Sequence, residues 1–251
     1  MLQYTRMTSA KPSPSHADTL PEGLKLLADE TRWRLVCALR RGDYQVGELT
    51  IQLGLPQNLV SYHLGTLRQG GLVQVHRSDA DGRVLYYSLD LALLKAIYHE
   101  LGSLLQVTNQ TVNAPSIPQT IFFLCTANSA RSQMAEAWLR HLSQGRIAVR
   151  SAGTQPRPVH PLTRHVMAEV GLDIGYQASK SIEALHDIRP TMIITVCDIA
   201  REACAHWGHD IPQIHWSISD PLAAAEDEQL ATFRAVRDAL RLRVEGLLGS
   251  L

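Results

Sequence analysis

The sequence predicts two units of different fold class: a small α+β unit of helices closed by a hairpin, then an α/β unit with a doubly wound parallel sheet. Three observations carry this. Residues 46–89 read as a short helix, a turn, a second helix and two alternating apolar runs around Asp81-Gly82. From residue 120, apolar runs of β-formers alternate with helical periods, the pattern of strands joined by helical crossovers. Between the two, residues 107–119 (VTNQTVNAPSIPQ) are polar and hold two prolines, as a linker does. A chain of 251 residues has room for two cores of ordinary size.

Residues 1–18 carry Ser, Pro and Lys without an apolar period and are expected to form a disordered tail. Helical spacing begins at residue 20, with Leu24, Leu27 and Ala28 followed by Leu35, Val36 and Leu39, and stops at Arg40-Arg41-Gly42. Residues 46–53 form a short helix, Gly54-Leu55-Pro56 turns, and residues 57–69 form a second helix with Val60, Leu64 and Leu67 inward. Its remaining faces carry Gln57, Asn58, Ser61, Tyr62, His63 and Arg68, side chains able to reach base edges or phosphates. The hairpin follows, with Arg77 and Arg83 near its tip. Helix, turn, helix and hairpin make a winged helix-turn-helix over residues 19–106, a candidate binder of double-stranded DNA. A small helical unit that only packs or dimerises is the alternative that topology leaves open.

Basic and acidic residues balance at 24 each, so composition alone signals neither nucleic acid nor membrane, and a DNA-binding surface has to be a local patch. No apolar run approaches the roughly 20 residues of a membrane span, and no signal-peptide pattern opens the chain, so a cytoplasmic protein is expected. In a reducing compartment, four cysteines argue for catalytic, redox or metal roles over structural disulfides.

The second unit, residues 120–251, opens with the stretch that carries most chemistry. Residues 121–124 are an apolar strand, and from Ser132 the period turns helical, with Met134, Ala137 and Trp138 on one stripe. Between them Cys125, Thr126, Ala127, Asn128, Ser129, Ala130, Arg131 and Ser132 form a strand-to-helix turn. A loop wrapped before a helix N-terminus aims backbone N–H groups at one point, and the helix dipole adds positive charge there, so residues 126–131 are a candidate oxyanion cradle. The same field favours thiolate over thiol, which predicts a lowered pKa and a nucleophilic Cys125. Arg131 can fork two anion oxygens, and the Ser132 hydroxyl can donate to the thiolate. A lone Cys ending a strand is more often a small core hydrophobe. Strand, C-x5-R-S and helix in register set this one apart.

Further strands are expected at residues 147–150, 192–196 and 214–218, with Ser151-Ala152-Gly153-Thr154 turning out of the first. Helices are expected at 162–170, stopped by Gly171, and from Leu230 to Leu247 on the stripe Phe233, Val236, Leu240, Val244. In such sheets ligands bind beyond the strand C-termini, where Cys125 falls. Two more features fall at strand C-termini: Ser219-Asp220-Pro221, whose acid can protonate a departing oxygen, and Cys197-x6-Cys204. An Asp-Pro alone is an ordinary turn. Cys204, His206 and His209 also have ligand-like spacing, but no clear fourth ligand accompanies them, and no metal is expected.

The turn at Cys125 resembles the anion-binding loop of the low-molecular-weight tyrosine phosphatases and of the arsenate reductases built on that fold. In both, the general acid is the Asp of an Asp-Pro after the last strand, which implies that role for Asp220. The thioredoxin-coupled arsenate reductases carry a second and third thiol at the places of Cys197 and Cys204. The resemblance thus implies Cys125 as nucleophile, Cys197 as first resolving thiol and Cys204 as last, with arsenate as substrate, no tightly bound cofactor and an external dithiol such as thioredoxin. A tyrosine phosphatase is the alternative. In the first unit, Ala28-Asp29-Glu30-Thr31-Arg32, Val60-Ser61-Tyr62-His63-Leu64 and Leu67-Arg68-Gln69-Gly70-Gly71-Leu72-Val73 resemble the ArsR family of metalloregulatory repressors, which implies DNA binding as a homodimer. Arsenic-sensing members carry Cys-x-Cys where this chain has Tyr44-Gln45-Val46-Gly47, and its one thiol there, Cys37, is expected in the core. A repressor whose second half is a sensor is the remaining alternative.

Overall fold

The computed structural model describes residues 21–104, 119–204 and 210–249. The predicted tail, residues 1–18, and the predicted linker up to residue 118 lie outside them. The helix expected from residue 20 is two helices, α1 (Glu22–Leu27) and α2 (Glu30–Leu39). Asp29 makes the break: its carboxylate accepts the Arg32 N–H at 2.9 Å and caps α2. Leu35, Val36, Ala38 and Leu39 are buried, whereas Cys37 is exposed, which corrects the core placement expected for it. Trp33, also exposed, stands one turn before Cys37 on the same outer face.

Helix α3 (Val46–Leu53) starts in a capping box, the Gln45 N–H donating to Glu48 Oε2 at 2.8 Å, and ends at Gly54 with φ of +64°. Helix α4 (Gln57–Gln69) packs on α2 and α3 through Val60, Leu64 and Leu67, all fully buried. Strands β1 (Val73–Arg77) and β2 (Leu85–Leu89) pair antiparallel, Val73 opposite Leu89, and α5 (Leu91–Leu104) follows. Helices, hairpin and closing helix share one core.

The second unit runs β3 (Thr120–Cys125), α6 (Arg131–Leu142), β4 (Ala148–Gly153), α7 (Pro161–Glu169), β5 (Met192–Thr195), α8 (Asp198–Ala203), β6 (Gln213–His215) and α9 (Gln229–Leu248). The sheet order is β4-β3-β5-β6, every pair parallel. The chain leaves β3 for one side and returns to the other, so the crevice between the crossovers opens at the C-terminal end of β3, where Cys125 stands. Strand β3 alternates between two faces. Ile121, Phe123 and Cys125 pack with Met134, Trp138, Phe233 and Leu240 from α6 and α9, while Phe122 and Leu124 pack with Ile182, Leu185 and Cys204 on the other side. Two expectations change. Strand β4 runs on through Ser151, Ala152 and Gly153, and β6 stops at His215, leaving Trp216 and Ile218 buried outside any strand.

The two units meet at the turn before α3. A Cβ on Gly42 would lie 2.7 Å from the His215 carbonyl, so only glycine lets the chains approach this closely. Next to it Asp43, 1% exposed, donates its N–H to the His215 carbonyl at 2.7 Å and accepts the Ser217 N–H at 2.6 Å. Arg243 Nη2 donates to both oxygens of that carboxylate at 3.0 Å. Asp43→Ala leaves the Arg243 charge unpaired in a nearly dry interface, and destabilisation of about 3–5 kcal/mol is expected. Denaturant unfolding reads this as a lower midpoint; a midpoint within error of wild type would show that the Asp43–Arg243 pair does not stabilise the interface.

Candidate active site

The loop after β3 is shaped by bonds to its carbonyls. Those of Cys125, Thr126 and Ala127 accept the N–H groups of Thr154, Gln155 and Arg157 at 3.2, 2.8 and 2.9 Å, and that of Ser129 accepts the Thr163 hydroxyl at 2.9 Å. With carbonyls bonded outward, the N–H edges of a trans backbone turn the opposite way, toward Cys125. Asn128 N–H donates to Cys125 Sγ at 3.1 Å, and Ser132 Oγ is 2.9 Å from the same sulfur. Asn128 has a φ of +48°, tolerated better by Asn than by most residues. Its side chain holds the loop: Nδ2 donates to Ser132 and Ser151 hydroxyls at 2.9 and 2.8 Å, and Oδ1 accepts the Lys180 N–H at 2.9 Å and Gln133 Nε2 at 3.1 Å. Sequence reasoning missed Ser151, Gln133 and Lys180, which are distant in the chain or ordinary helix residues. Gly153 is a further residue it did not single out: a Cβ there would lie 2.5 Å from the Thr126 carbonyl and 2.8 Å from Asn128 N.

Arg131, at the start of α6, is buried, and its Nη1 donates to the Ile218 carbonyl at 2.8 Å while Nη2 donates to Asp220 Oδ2 at 3.0 Å. Asp220 is fixed in turn by the Leu222 N–H at 3.1 Å. A third group completes the charge: Asp79, in the turn between β1 and β2, brings Oδ2 to 3.8 Å from Arg131 Nη1. The cavity of about 460 Å³ is lined by Asp79, Cys125, Thr126, Ala127, Ser129, Ala130, Arg131, Cys197 and Asp220. The structure thus gathers the predicted nucleophile, cradle, arginine, acid and second thiol, and adds a carboxylate from the other unit. Burial pushes the Cys125 thiol up, Cys197 adds to this, and Ser132, Arg131 and the Asn128 N–H oppose it. This corrects the lowered pKa expected from the loop alone. Burial of the sulfur outweighs what the loop, the guanidinium and the hydroxyl contribute in the other direction.

Cys197 ends the segment after β5 and caps α8, with Thr126 Oγ1 3.3 Å from its sulfur. Cys204 closes α8 on the other face of the sheet, outside the cavity. Burial, Cys197 and Glu183 push its thiol up to about 11. Between them Asp198 is buried and accepts from Ser217 Oγ at 2.5 Å, His215 Nε2 at 3.0 Å and the Asp79 N–H at 2.9 Å. Burial opposes its charge, but these donors hold its carboxyl at about 2. Among the described residues no three His, Cys, Asp or Glu side chains form a metal-holding group, and His206 and His209 lie outside them.

On the first unit Gln57, Asn58, Ser61, Tyr62 and Arg68 are exposed along α4, as expected for a DNA-facing helix. His63 is buried instead, its Nδ1 3.5 Å from Asp29 Oδ1, which corrects its place among the contacts: it falls on the stripe of Val60, Leu64 and Leu67. Arg77 and Arg83 are exposed, bonded to the Gly82 carbonyl and to Asp81. No helix among the described residues is long and apolar enough to cross a membrane.

A thiol at the floor of a backbone oxyanion cradle, with an arginine and an acid across from it, defines a class of thiol-dependent enzymes acting on tetrahedral oxyanions. The chain belongs to the low molecular weight phosphotyrosine protein phosphatase family, whose profile its residues 120–251 match. Residues 29–75 match the bacterial regulatory protein arsR family, so the chain is a fusion of the two. Among curated relatives, the arsenate reductase of Halalkalibacterium halodurans is 35% identical over 129 residues, 51% of this chain and 93% of that protein. That of Bacillus licheniformis is 37% identical over 131 residues, with the same shares. A solved arsenate reductase in its reduced state is 34% identical, covers 53% of this chain and 98% of its own, and superposes with a TM-score of 0.46.

Gly153→Ala tests whether close approach builds the cradle. Inorganic phosphate should bind by roughly tenfold or more less tightly, the worth of one charge-assisted hydrogen bond, as read by calorimetry on a variant whose circular dichroism is unchanged. Wild-type affinity would show that the loop does not need the glycine.

Proposed function

We propose that this protein is an arsenate reductase fused to a DNA-binding regulator, with the regulator in residues 19–106, a linker in 107–119 and the reductase in 120–251. One observation carries the reductase reading. Two thiols, Cys125 and Cys197, line the same oxyanion cavity, with Cys204 at the far end of the helix that Cys197 begins. A phosphatase needs one thiol, whereas reducing arsenate takes two electrons and so a second thiol. The family relationship and the named activity of the relatives support the same reading.

The reaction follows as three displacements. Cys125 thiolate attacks arsenic and an As–O bond breaks, Asp220 protonating the departing hydroxide to water while Arg131 and the N–H groups of residues 126–131 hold the remaining oxygens. The Ser132 hydroxyl and Asn128 N–H favour the thiolate. Cys197 then attacks Cys125 Sγ; the S–As electron pair stays on arsenic, arsenite leaves, and a Cys125–Cys197 disulfide remains. Cys204 attacks Cys197 and frees Cys125 thiolate. An external dithiol such as thioredoxin reduces the Cys197–Cys204 pair, returning two electrons. The last transfer has a geometric cost. Seven helical steps separate Cys197 and Cys204 by about 10 Å, and a disulfide spans at most about 7 Å between Cα atoms. Helix α8 therefore unwinds to form it.

Arsenate and para-nitrophenyl phosphate turnover, assayed side by side with thioredoxin, its reductase and a nicotinamide donor, test the reading. Donor oxidation should follow arsenate, with slow ester hydrolysis; rapid ester hydrolysis without arsenate-dependent oxidation would instead make the protein a phosphatase. Cys204→Ser should release at most one arsenite per chain and halt at the Cys125–Cys197 disulfide, visible by peptide mass mapping. Continued cycling at the wild-type rate would rule out the three-thiol relay.

The regulator half is proposed to bind double-stranded DNA as a homodimer, with the α4 helices in successive major grooves. The exposed Gln57, Asn58, Ser61 and Tyr62 supply base-facing groups, and Arg68, Arg77 and Arg83 supply phosphate contacts. Arg83→Ala should weaken binding equally across sequences and reduce the salt slope by about one unit. A loss confined to one sequence would place Arg83 against a base.

A further inference from the structure

Asp79 belongs to the hairpin of the regulator half, yet it lines the cavity over Cys125. Its position is built. Ser78 is buried, and its hydroxyl accepts the N–H groups of Ala80 and Asp81 at 3.1 and 3.3 Å, which folds the hairpin tip. The Asp79 N–H is anchored on Asp198 at 2.9 Å, and behind it His76 bonds Ser217, whose hydroxyl donates to the same Asp198. The hairpin is thus seated on the reductase half by its base and its tip, with the Asp79 carboxylate aimed at Arg131.

Among the described residues the hydrogen-bond and ion-pair partners of that guanidinium are then all acceptors: the Ile218 carbonyl, Asp220 and Asp79. A bound oxyanion needs the same guanidinium. Asp220 has a chemical task once the anion is bound, whereas Asp79 only shares its partner. Asp79 is also the looser occupant, at 3.8 Å against 3.0 Å for Asp220, and burial together with Asp198 and Asp220 raises its carboxyl despite Arg131.

The geometry points to Asp79 as a determinant of oxyanion affinity at this site: a carboxylate from the DNA-binding half that stands where the anion's charge must go and competes with it for Arg131. The inference rests on the reductase reading for the identity of the anion, not for the competition itself. It also gives the regulator half a direct contact with the substrate site, since an anion that displaces Asp79 loosens the hairpin tip that Arg77 and Arg83 flank.

Inorganic phosphate, titrated calorimetrically into the reduced full-length protein, reads the competition whether or not arsenate is turned over. Asp79→Asn removes the charge and keeps the size. It should bind phosphate about three- to tenfold more tightly, the scale of one half-exposed like-charge contact. Asp79→Glu, which keeps the charge, should stay nearer wild type. Asp81→Asn, at the same tip but paired with Arg83, controls for net charge and should leave the affinity unchanged. In arsenate turnover the Asp79→Asn effect should fall on KM more than on kcat. Equal or weaker phosphate binding by Asp79→Asn, equal tightening by Asp81→Asn, or no measurable binding by either wild type or Asp79→Asn would overturn the inference. Wild-type protein that binds phosphate but does not reduce arsenate would overturn the reductase reading and leave the phosphate comparison to decide this one.

Discussion

One buried carboxylate, Asp198, holds the parts of this molecule in register. It follows Cys197 directly, starts α8, and collects His215, Ser217 and the Asp79 N–H on its two oxygens. Burial alone would drive the charge out; three donors keep it ionised. His215 stays neutral for the complementary reason: burial lowers its pKa, and with Thr195 on Nδ1 and Asp198 on Nε2 both ring nitrogens are satisfied. Without Asp198 the hairpin tip loses its anchor, and so does the segment after β6 that leads to Asp220. Fold, relay helix and wing therefore share a single electrostatic joint.

The sequence carried most of the local chemistry because that chemistry is local. Strand, C-x5-R-S and helix are contiguous, so cradle, nucleophile and arginine were readable as one turn, and helices α3 and α4 have the predicted bounds. Contacts between distant residues were not readable. Asn128 was expected to bind anion by its backbone, but its side chain spends itself on Ser132, Ser151, Gln133 and Lys180. Gly153 was seen as part of a turn, whereas it ends a strand and is small because a loop passes over it. Cys37 and His63 show the limit of reading burial from neighbours in sequence. Each sits among apolar residues, and in each case the angle around the helix decides: outward beside Trp33 for Cys37, inward beside Leu64 for His63. The thiol pKa failed for a related reason. The sign of the loop's field was legible, and so was the approach of Asp220, but burial of the sulfur and the carboxylate arriving from residue 79 were not.

The split of β3 between two cores bears on the order of events proposed for the thiols. Cys125 and Cys197 belong to the core beneath α6 and α9, whereas Cys204 packs with Phe122, Leu124 and Ile182 on the opposite side. A thiol on that side, pushed up to about 11, is a poor nucleophile at rest. Part of that rise comes from Cys197, and a Cys197 consumed in a disulfide no longer supplies it. Cys204 is thus kept out of the first two displacements by sheet and protonation, and becomes easier to ionise only after the second.

Unwinding α8, which the third displacement requires, has a consequence outside the reductase half. Asp198 and Arg201 both lie on α8. Asp198 anchors the Asp79 N–H, and Arg201 pairs with Glu48 in α3 while its guanidinium stands 5.2 Å over the Tyr86 ring on β2. Glu48 also accepts the Gln45 N–H that caps α3. A relay that passes its disulfide to Cys197 and Cys204 reshapes the helix that carries both of these contacts. Arg243 and Asp43, on α9 and the turn before α3, lie off that helix and keep the two halves attached meanwhile. Turnover on this scheme loosens the wing and the cap of α3 without releasing the regulator, so the elements proposed to face DNA are tied to the redox state through side chains of the relay helix itself.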